Sequence, residues 1–205
     1  MDLLQSLRDI LDAESRVVNS IPLTEAYQQA LDLIYRQVCQ KGGKVVASGM
    51  GKAGQIAANI ASTFASTGIP AVSINPAEAQ HGDLGVIQPN DVLLLISNSG
   101  RTEEIVQLHR LASLLYPSMP SIAITGEAGS PLANVPGMVS LFTGNPDEVC
   151  PLGLTPTSSI TAMTVIGHML VIAMMNRTGF TREQYALRHQ GGSLGEKLRD
   201  CSPMK

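Results

Sequence analysis

The segment KVVASGMGKAGQIA, residues 44–57, decides how the rest of the chain is read. Lys44 to Ser48 is a short apolar run that stops at glycines, the pattern of a buried strand. Gln55 to Ser66 is rich in Ala and Ile, the pattern of a helix packed closely on a sheet. Between them Gly49, Gly51 and Gly54 fit G-x-G-x-x-G, a turn that presents free backbone N–H groups at a helix start. Dinucleotide binding fits poorly, because an acidic residue should close the next strand to hold the ribose hydroxyls. Asn75 stands there, after AVSI, and Glu78 follows only beyond a proline. The P-loop pattern fails too: Val46 stands where its first glycine belongs, and Ala53 follows Lys52 where Ser or Thr is needed. What remains is a glycine turn suited to a small anion.

A second such turn lies in DVLLLISNSGRTEEI, residues 91–105. Asp91 to Ile96 reads as a buried strand, and a helix is expected from Glu103 to about Leu115. Ser97, Ser99 and Thr102 cluster with Gly100 between them. Hydroxyls beside helix N-terminal N–H groups are what a phosphate monoester needs. Further strands are expected at Ala71–Ile74, Ser121–Ile124 and Gly137–Phe142, with a turn-rich segment at 75–90. The polar, proline-rich TGNPDEVCPLGLTPTSS (143–159) precedes a long apolar helix, Ile160 to about Asn176, and a short helix precedes RHQGGSLGEKL (188–198). Ahead of all this, Leu3–Val18 and Thr24–Gln40 carry helical spacing, with Thr24 as N-cap and Gly42-Gly43 as terminator. Strands alternating with helices predict an α/β fold: a three-layer, doubly wound, five-stranded parallel sheet with extra N-terminal helices. Ligands of such sheets bind at the carboxyl ends of the strands.

Composition narrows the class. The 205 residues suit one domain, divided here into N-terminal helices (1–43), an α/β core (44–180) and a tail (181–205). With 44% hydrophobic and 15% charged residues the chain folds; with no Trp and nine Met its core is aliphatic. A net charge of −3, without clustered Lys and Arg, argues against a nucleic-acid partner. Cys39, Cys150 and Cys201 are odd in number and lack C-x-x-C spacing, so neither a disulfide framework nor a zinc site is expected. The N-terminus reads as a charged amphipathic helix rather than a signal peptide. The longest apolar run, Ala162 to Met175, falls short of the ~20 residues that span a bilayer. A cytoplasmic protein without membrane contact is the expectation.

SNSGRTEEI resembles the phosphosugar-binding signature of the sugar isomerase (SIS) domain, a flavodoxin-like fold. G-M-G-K at 49–52, P-A-E-A-x-H-G-D-L-G at 76–85, the E-x-C-P-L-G-L-x-P-T-S-S run at 148–159 and the HQGGSLGEKL tail are similar to the arabinose-5-phosphate isomerase branch. The resemblance spans residues 45 to 198. It implies interconversion of D-ribulose 5-phosphate and D-arabinose 5-phosphate through a cis-enediol, with no cofactor and no metal. It also implies a homotetramer with shared active sites, serving 3-deoxy-octulosonate supply for lipopolysaccharide or capsule. Three departures matter. The tail proline of the family is Gln190, which loosens the turn that positions His189. The family's His before Pro-Ala-Glu is Asn75, which predicts weaker inhibition by transition metals. Typical members also add two CBS repeats, and none is expected here.

Such a reaction needs a group that moves a proton between C1 and C2, an acid for the carbonyl oxygen, and charge stabilisation. The catalytic candidates are Lys52, Glu104, Glu148 and His189. The helix dipole disfavours a cation at the position of Lys52, which favours a ligand-directed role there. Glu148 precedes an apolar stretch, so burial is expected to raise its pKa toward a useful base. Either Glu148 or His189 moves the proton, while Lys52 and Glu104 orient the substrate and stabilise charge. Substrate contacts are expected from Ser48, Gly49, Gly68, Asn75, His81, Ser97, Ser99 and Thr102, with Glu78 in reserve. His109 and His168 are assigned to packing or surface. Two alternatives stand beside the isomerase: an SIS sugar-phosphate sensor without turnover, and an isomerase of another phosphosugar.

Overall fold

The computed structural model describes residues 2–191. Five parallel strands form one sheet in the order β2-β1-β3-β4-β5: β1 Val45–Gly49, β2 Ala71–Ile74, β3 Val92–Ile96, β4 Ser121–Thr125 and β5 Val139–Phe142. All residues of β1, β3 and β4 are buried, which is why they read as continuous apolar runs rather than alternating ones. Chain order reverses between β1 and β3, so the crevice of this sheet lies at their carboxyl ends. The register pairs Gly49 with Ile96, which sets the glycine turn and the 97–102 loop side by side.

Alternate residues of each strand feed two cores. Val45, Ala47, Leu94, Ile96, Ile122 and Leu141 face α1 (Leu3–Asn19), α2 (Ala26–Ile34), α3 (Lys52–Ser66) and α6 (Ser158–Thr178). Val46, Leu93, Leu95 and Ala123 face α5 (Glu103–Leu115) and the segments around Ile74, Ile87 and Leu132. The predicted three layers and five strands are therefore present. α7 (Arg182–Arg188) closes the described chain, and α2 continues into a π-helical turn, Tyr35–Gln40.

The structure corrects several local readings. Thr24 is not the N-cap: α2 follows Glu25, whose side chain makes no capping bond, and Thr24 contributes only its carbonyl to Tyr27 N–H. α3 opens at Lys52 instead of Gln55, because Gly51 at φ +59° turns the chain straight into the helix. The turn-rich segment holds α4 (Pro76–Ala79), with Asn75 accepting from Ala77 N–H, and a 3₁₀ turn at Asp83–Val86. α6 runs 21 residues and is long and apolar enough to cross a membrane. In this fold it is a core helix: Ala162, Met163, Ile166, Leu170, Val171 and Met174 are buried in the first core. α3 and α6 run parallel, since Ile56 and Ile160 line one groove, Gly167 sits against Ile60, and Phe180 lies over Gly68. Both helix N-termini thus open on the carboxyl end of the sheet.

Candidate active site

The glycine pattern builds a close β1–α3 junction. A Cβ on Gly49 would stand 2.5 Å from Ala53 backbone, and one on Gly54 2.7 Å from Gly49 O. The glycines let the α3 N-terminus sit on the strand end. That places Lys52, exposed and first in the helix, over the mouth. Ser48 is fully buried, and its hydroxyl donates to Ile74 O at 2.9 Å, tying β1 to β2.

The 97–102 loop is largely self-satisfied. Ser97 and Thr102 hydroxyls pair at 2.8 Å, Gly100 N–H donates to Ser97 Oγ at 3.1 Å, and Arg101 N–H donates to Ser99 Oγ at 3.2 Å. Gly100 has φ +60°, and a Cβ there would collide with the Ser130 side chain, so only glycine makes this turn without displacement. Ser99 stays exposed, with its hydroxyl hydrogen free to donate outward. Glu104 sits half-buried in the first turn of α5, behind exposed Glu103.

Neighbouring strand ends are laced to this loop. Gly126 N–H and Thr125 Oγ1 donate to Asn98 O at 2.8 and 3.2 Å, and Thr143 Oγ1 reaches Asn98 Oδ1 at 3.5 Å. From there the chain runs to Glu148. Its Oε2 accepts from Thr157 N–H at 2.6 Å and Thr157 Oγ1 at 3.1 Å, and its Oε1 accepts from Ser159 Oγ. Glu148 therefore caps the α6 N-terminus. Burial pushes its carboxyl up, but the bonds from Ser159 and Thr157 outweigh burial and hold it below the usual carboxylate range. The expected upward shift is thus reversed, because hydrogen bonds to the charged form dominate. Thr157, whose N–H holds Glu148, lines one cleft of about 630 Å³ with Lys52, Gln55, Asn59 and Thr161. A second recess, about 330 Å³, lies on the other side of the α3 N-terminus between Gly49, Gln55 and Asn75.

The chain does not bring every candidate to this mouth. Gly68 follows α3 at the amino end of the sheet, under Phe180 and beside Arg188. α3 has 15 residues, so roughly 22 Å separates its two ends. His189 follows Arg188; its ring stacks on Tyr185 at 3.8 Å, with Nδ1 3.0 Å from Tyr185 O. Within one chain Gly68 and His189 therefore lie at the end opposite Lys52. His81 and Glu78 are exposed, joined by His81 N–H to Glu78 O at 2.8 Å. Residues 192–198 of the tail motif, and Cys201, fall outside the described residues.

Other groups at the mouth escaped the sequence reading. Cys150 Sγ accepts from Thr155 N–H at 3.1 Å and Leu154 N–H at 3.3 Å. Hydrogen bonding by Thr155 and then Leu154 lowers its thiol to about 7. Glu14, on α1, accepts from buried Ser158 Oγ at 3.3 Å, one residue from each of the two that hold Glu148. A separation of 144 residues left no signal for that contact. His168 is exposed, as assigned, but lines the Lys52 cleft. Among the described residues no three His, Cys, Asp or Glu side chains group to hold a metal.

Fold and site define a doubly wound α/β protein with a glycine turn and a hydroxyl loop side by side at its topological switch point, and a carboxylate held at the α6 N-terminus. The chain belongs to the SIS domain family, whose model matches residues 38–173. It is 42% identical over 197 residues to arabinose 5-phosphate isomerase KdsD of Salmonella typhi, covering 96% of this chain and 58% of that protein. The Escherichia coli K12 protein of the same name is 49% identical over 156 residues, 76% of this chain and 47% of that one. The chain spans about half the length of these curated relatives. Among solved structures, a candidate phosphosugar isomerase involved in capsule formation from Bacteroides fragilis is 56% identical with a TM-score of 0.90, covering 93% of this chain and 98% of that one. An E. coli CFT073 protein solved in complex with arabinose 5-phosphate is 36% identical with a TM-score of 0.80, covering 92% of this chain and 97% of that one.

Proposed function

We propose that the protein is an aldose–ketose isomerase interconverting D-arabinose 5-phosphate and D-ribulose 5-phosphate. The observation that carries this reading is the cleft that Lys52 shares with Thr157, the residue whose N–H holds the carboxylate of Glu148. The relative solved with arabinose 5-phosphate, similar over nearly the whole chain, supports the choice of sugar. The 97–102 loop and the first turn of α5 take the phosphate, leaving C1 and C2 toward the α3 and α6 N-termini. A base removes the C2 proton of the aldose, the enediolate forms, an acid protonates O1, and the O2 proton leaves as a proton returns to C1. Glu148 is held in its ionised form, ready to accept that proton, and the cation of Lys52 offsets the enediolate charge. Glu104 orients the sugar.

His189 enters this scheme from a second copy, because its own chain holds it far from Lys52. Shared sites in a homotetramer supply the missing histidine, and Gly68 and His81 with it. The reaction needs no cofactor, the setting is the cytoplasm, and the product feeds 3-deoxy-octulosonate or capsule sugar synthesis. A turnover assay with D-ribulose 5-phosphate tests the reading, run beside His189→Ala. Conversion to the aldose by wild type and a loss of two orders of magnitude or more in the variant, about 10²-fold for a general acid or base, is the expected outcome. Tight binding without conversion would assign the protein to the non-catalytic sensors of its family.

A further inference from the structure

The hydroxyl loop has a charge problem. Between Ser97 and Glu104 stand two carboxylates, Glu103 and Glu104, both in the first turn of α5. They suit the helix dipole but oppose the dianion that the loop is meant to hold. The N–H groups of Gly100 and Arg101 are already engaged by Ser97 and Ser99. The donors that remain are neutral: Ser99, one hydroxyl hydrogen of the Ser97–Thr102 pair and the first-turn amides of the helix among them. Arg101 is the one cation in this stretch, and it follows directly on the glycine of the turn.

Arg101 is not committed elsewhere. Its guanidinium reaches Glu127, just beyond β4, through one nitrogen at 3.4 Å, and the two side chains are 57% and 43% exposed. A long, single-contact, solvated pair of this kind is weak and easily exchanged. A phosphate offers better chemistry: a planar guanidinium fork meets two of its oxygens in parallel. Glu127 lies on the segment whose Gly126 is tied to Asn98, so the pair sits at the rim of the phosphate loop itself.

We infer that Arg101 is a further substrate-binding residue, a side chain parked on Glu127 that swings to the substrate phosphate and gives the loop its preference for a dianion. The inference rests on the proposed phosphosugar site. Affinity is the direct readout: calorimetric binding of D-arabinose 5-phosphate, and of inorganic phosphate as the minimal probe, to wild type, Arg101→Ala, Arg101→Lys and Glu127→Gln. Arg101→Ala should weaken both ligands about 10- to 100-fold. Arg101→Lys should recover part of the loss, since it restores charge without the fork. Glu127→Gln, which frees Arg101, should tighten both about two- to fivefold. In turnover the Arg101→Ala loss should fall on KM rather than kcat. Unchanged affinities in Arg101→Ala, beside a wild type that isomerises, would overturn the inference and leave the isomerase reading standing. Weakened binding in a protein that never isomerises would do the reverse.

Discussion

Single residues set the chemistry at this mouth, and Cys150 reports on it most accessibly. Two backbone N–H groups aimed at Sγ favour the thiolate, so it titrates at about 7, whereas burial pushes Cys39 up. Alkylation by iodoacetamide followed by mass spectrometry should therefore label Cys150 before Cys39, with a rate midpoint near pH 7 for Cys150 and a higher one for Cys39. Equal labelling would mean that the Leu154 and Thr155 amides do not hold the sulfur. Glu148 shows the limit of reading such groups from sequence. An apolar stretch follows it in the chain, which predicts desolvation, yet in the fold it faces Thr157 and Ser159, and hydrogen bonding reverses the sign. Ser97 and Thr102 were legible as a hydroxyl cluster; that they face each other was not.

At the scale of elements, the strands were legible because a parallel sheet buries both faces and writes continuous apolar runs at 45–49, 92–96 and 121–125. Less was legible where a cap or turn decides the boundary. Asn75-Pro76 is a cap-and-first-turn signature that opens α4, but four residues give no periodicity to see. The 148–157 loop is fixed by its own bonds to Cys150 and by the helix it caps. The bonds from α6 make the carboxylate of Glu148 more acidic than in the unfolded chain. Their stabilising contribution is therefore complete above the unfolded value and is lost as pH falls through the depressed folded one. Ser159→Ala removes one of these bonds. Glu148 should then protonate at a higher pH, and the acid limb of the turnover profile should move upward by a few tenths of a unit to about one. An acid limb unmoved in this variant would show that Glu148 is not the titrating base.

The whole molecule carries a surface that one chain does not use. α1 sets Leu3, Leu4, Leu7, Ile10 and Leu11 outward, and Leu3, Leu4 and Leu11 are each about two-thirds exposed. A contiguous apolar stripe of this kind is suited to contact with another surface. Together with the distance between His189 and Lys52, it supports the reading of a catalytic site assembled by several copies. Leu7→Asp with Leu11→Asp should shift the protein to smaller species in light scattering and lower turnover with them. A fully active monomer would contradict the shared site. This surface was hard to foresee from the chain, because Leu3 to Leu11 obey the same helical spacing whether they meet their own core or another copy.

The central claim, that this mouth moves a proton between C1 and C2 of a pentose phosphate, is tested most directly in D₂O. Incubated with D-arabinose 5-phosphate and followed by NMR, wild type should yield D-ribulose 5-phosphate carrying deuterium at C1, and Glu148→Gln should yield almost none. An aldose that binds but keeps its C2 hydrogen, with no ketose formed, would contradict it.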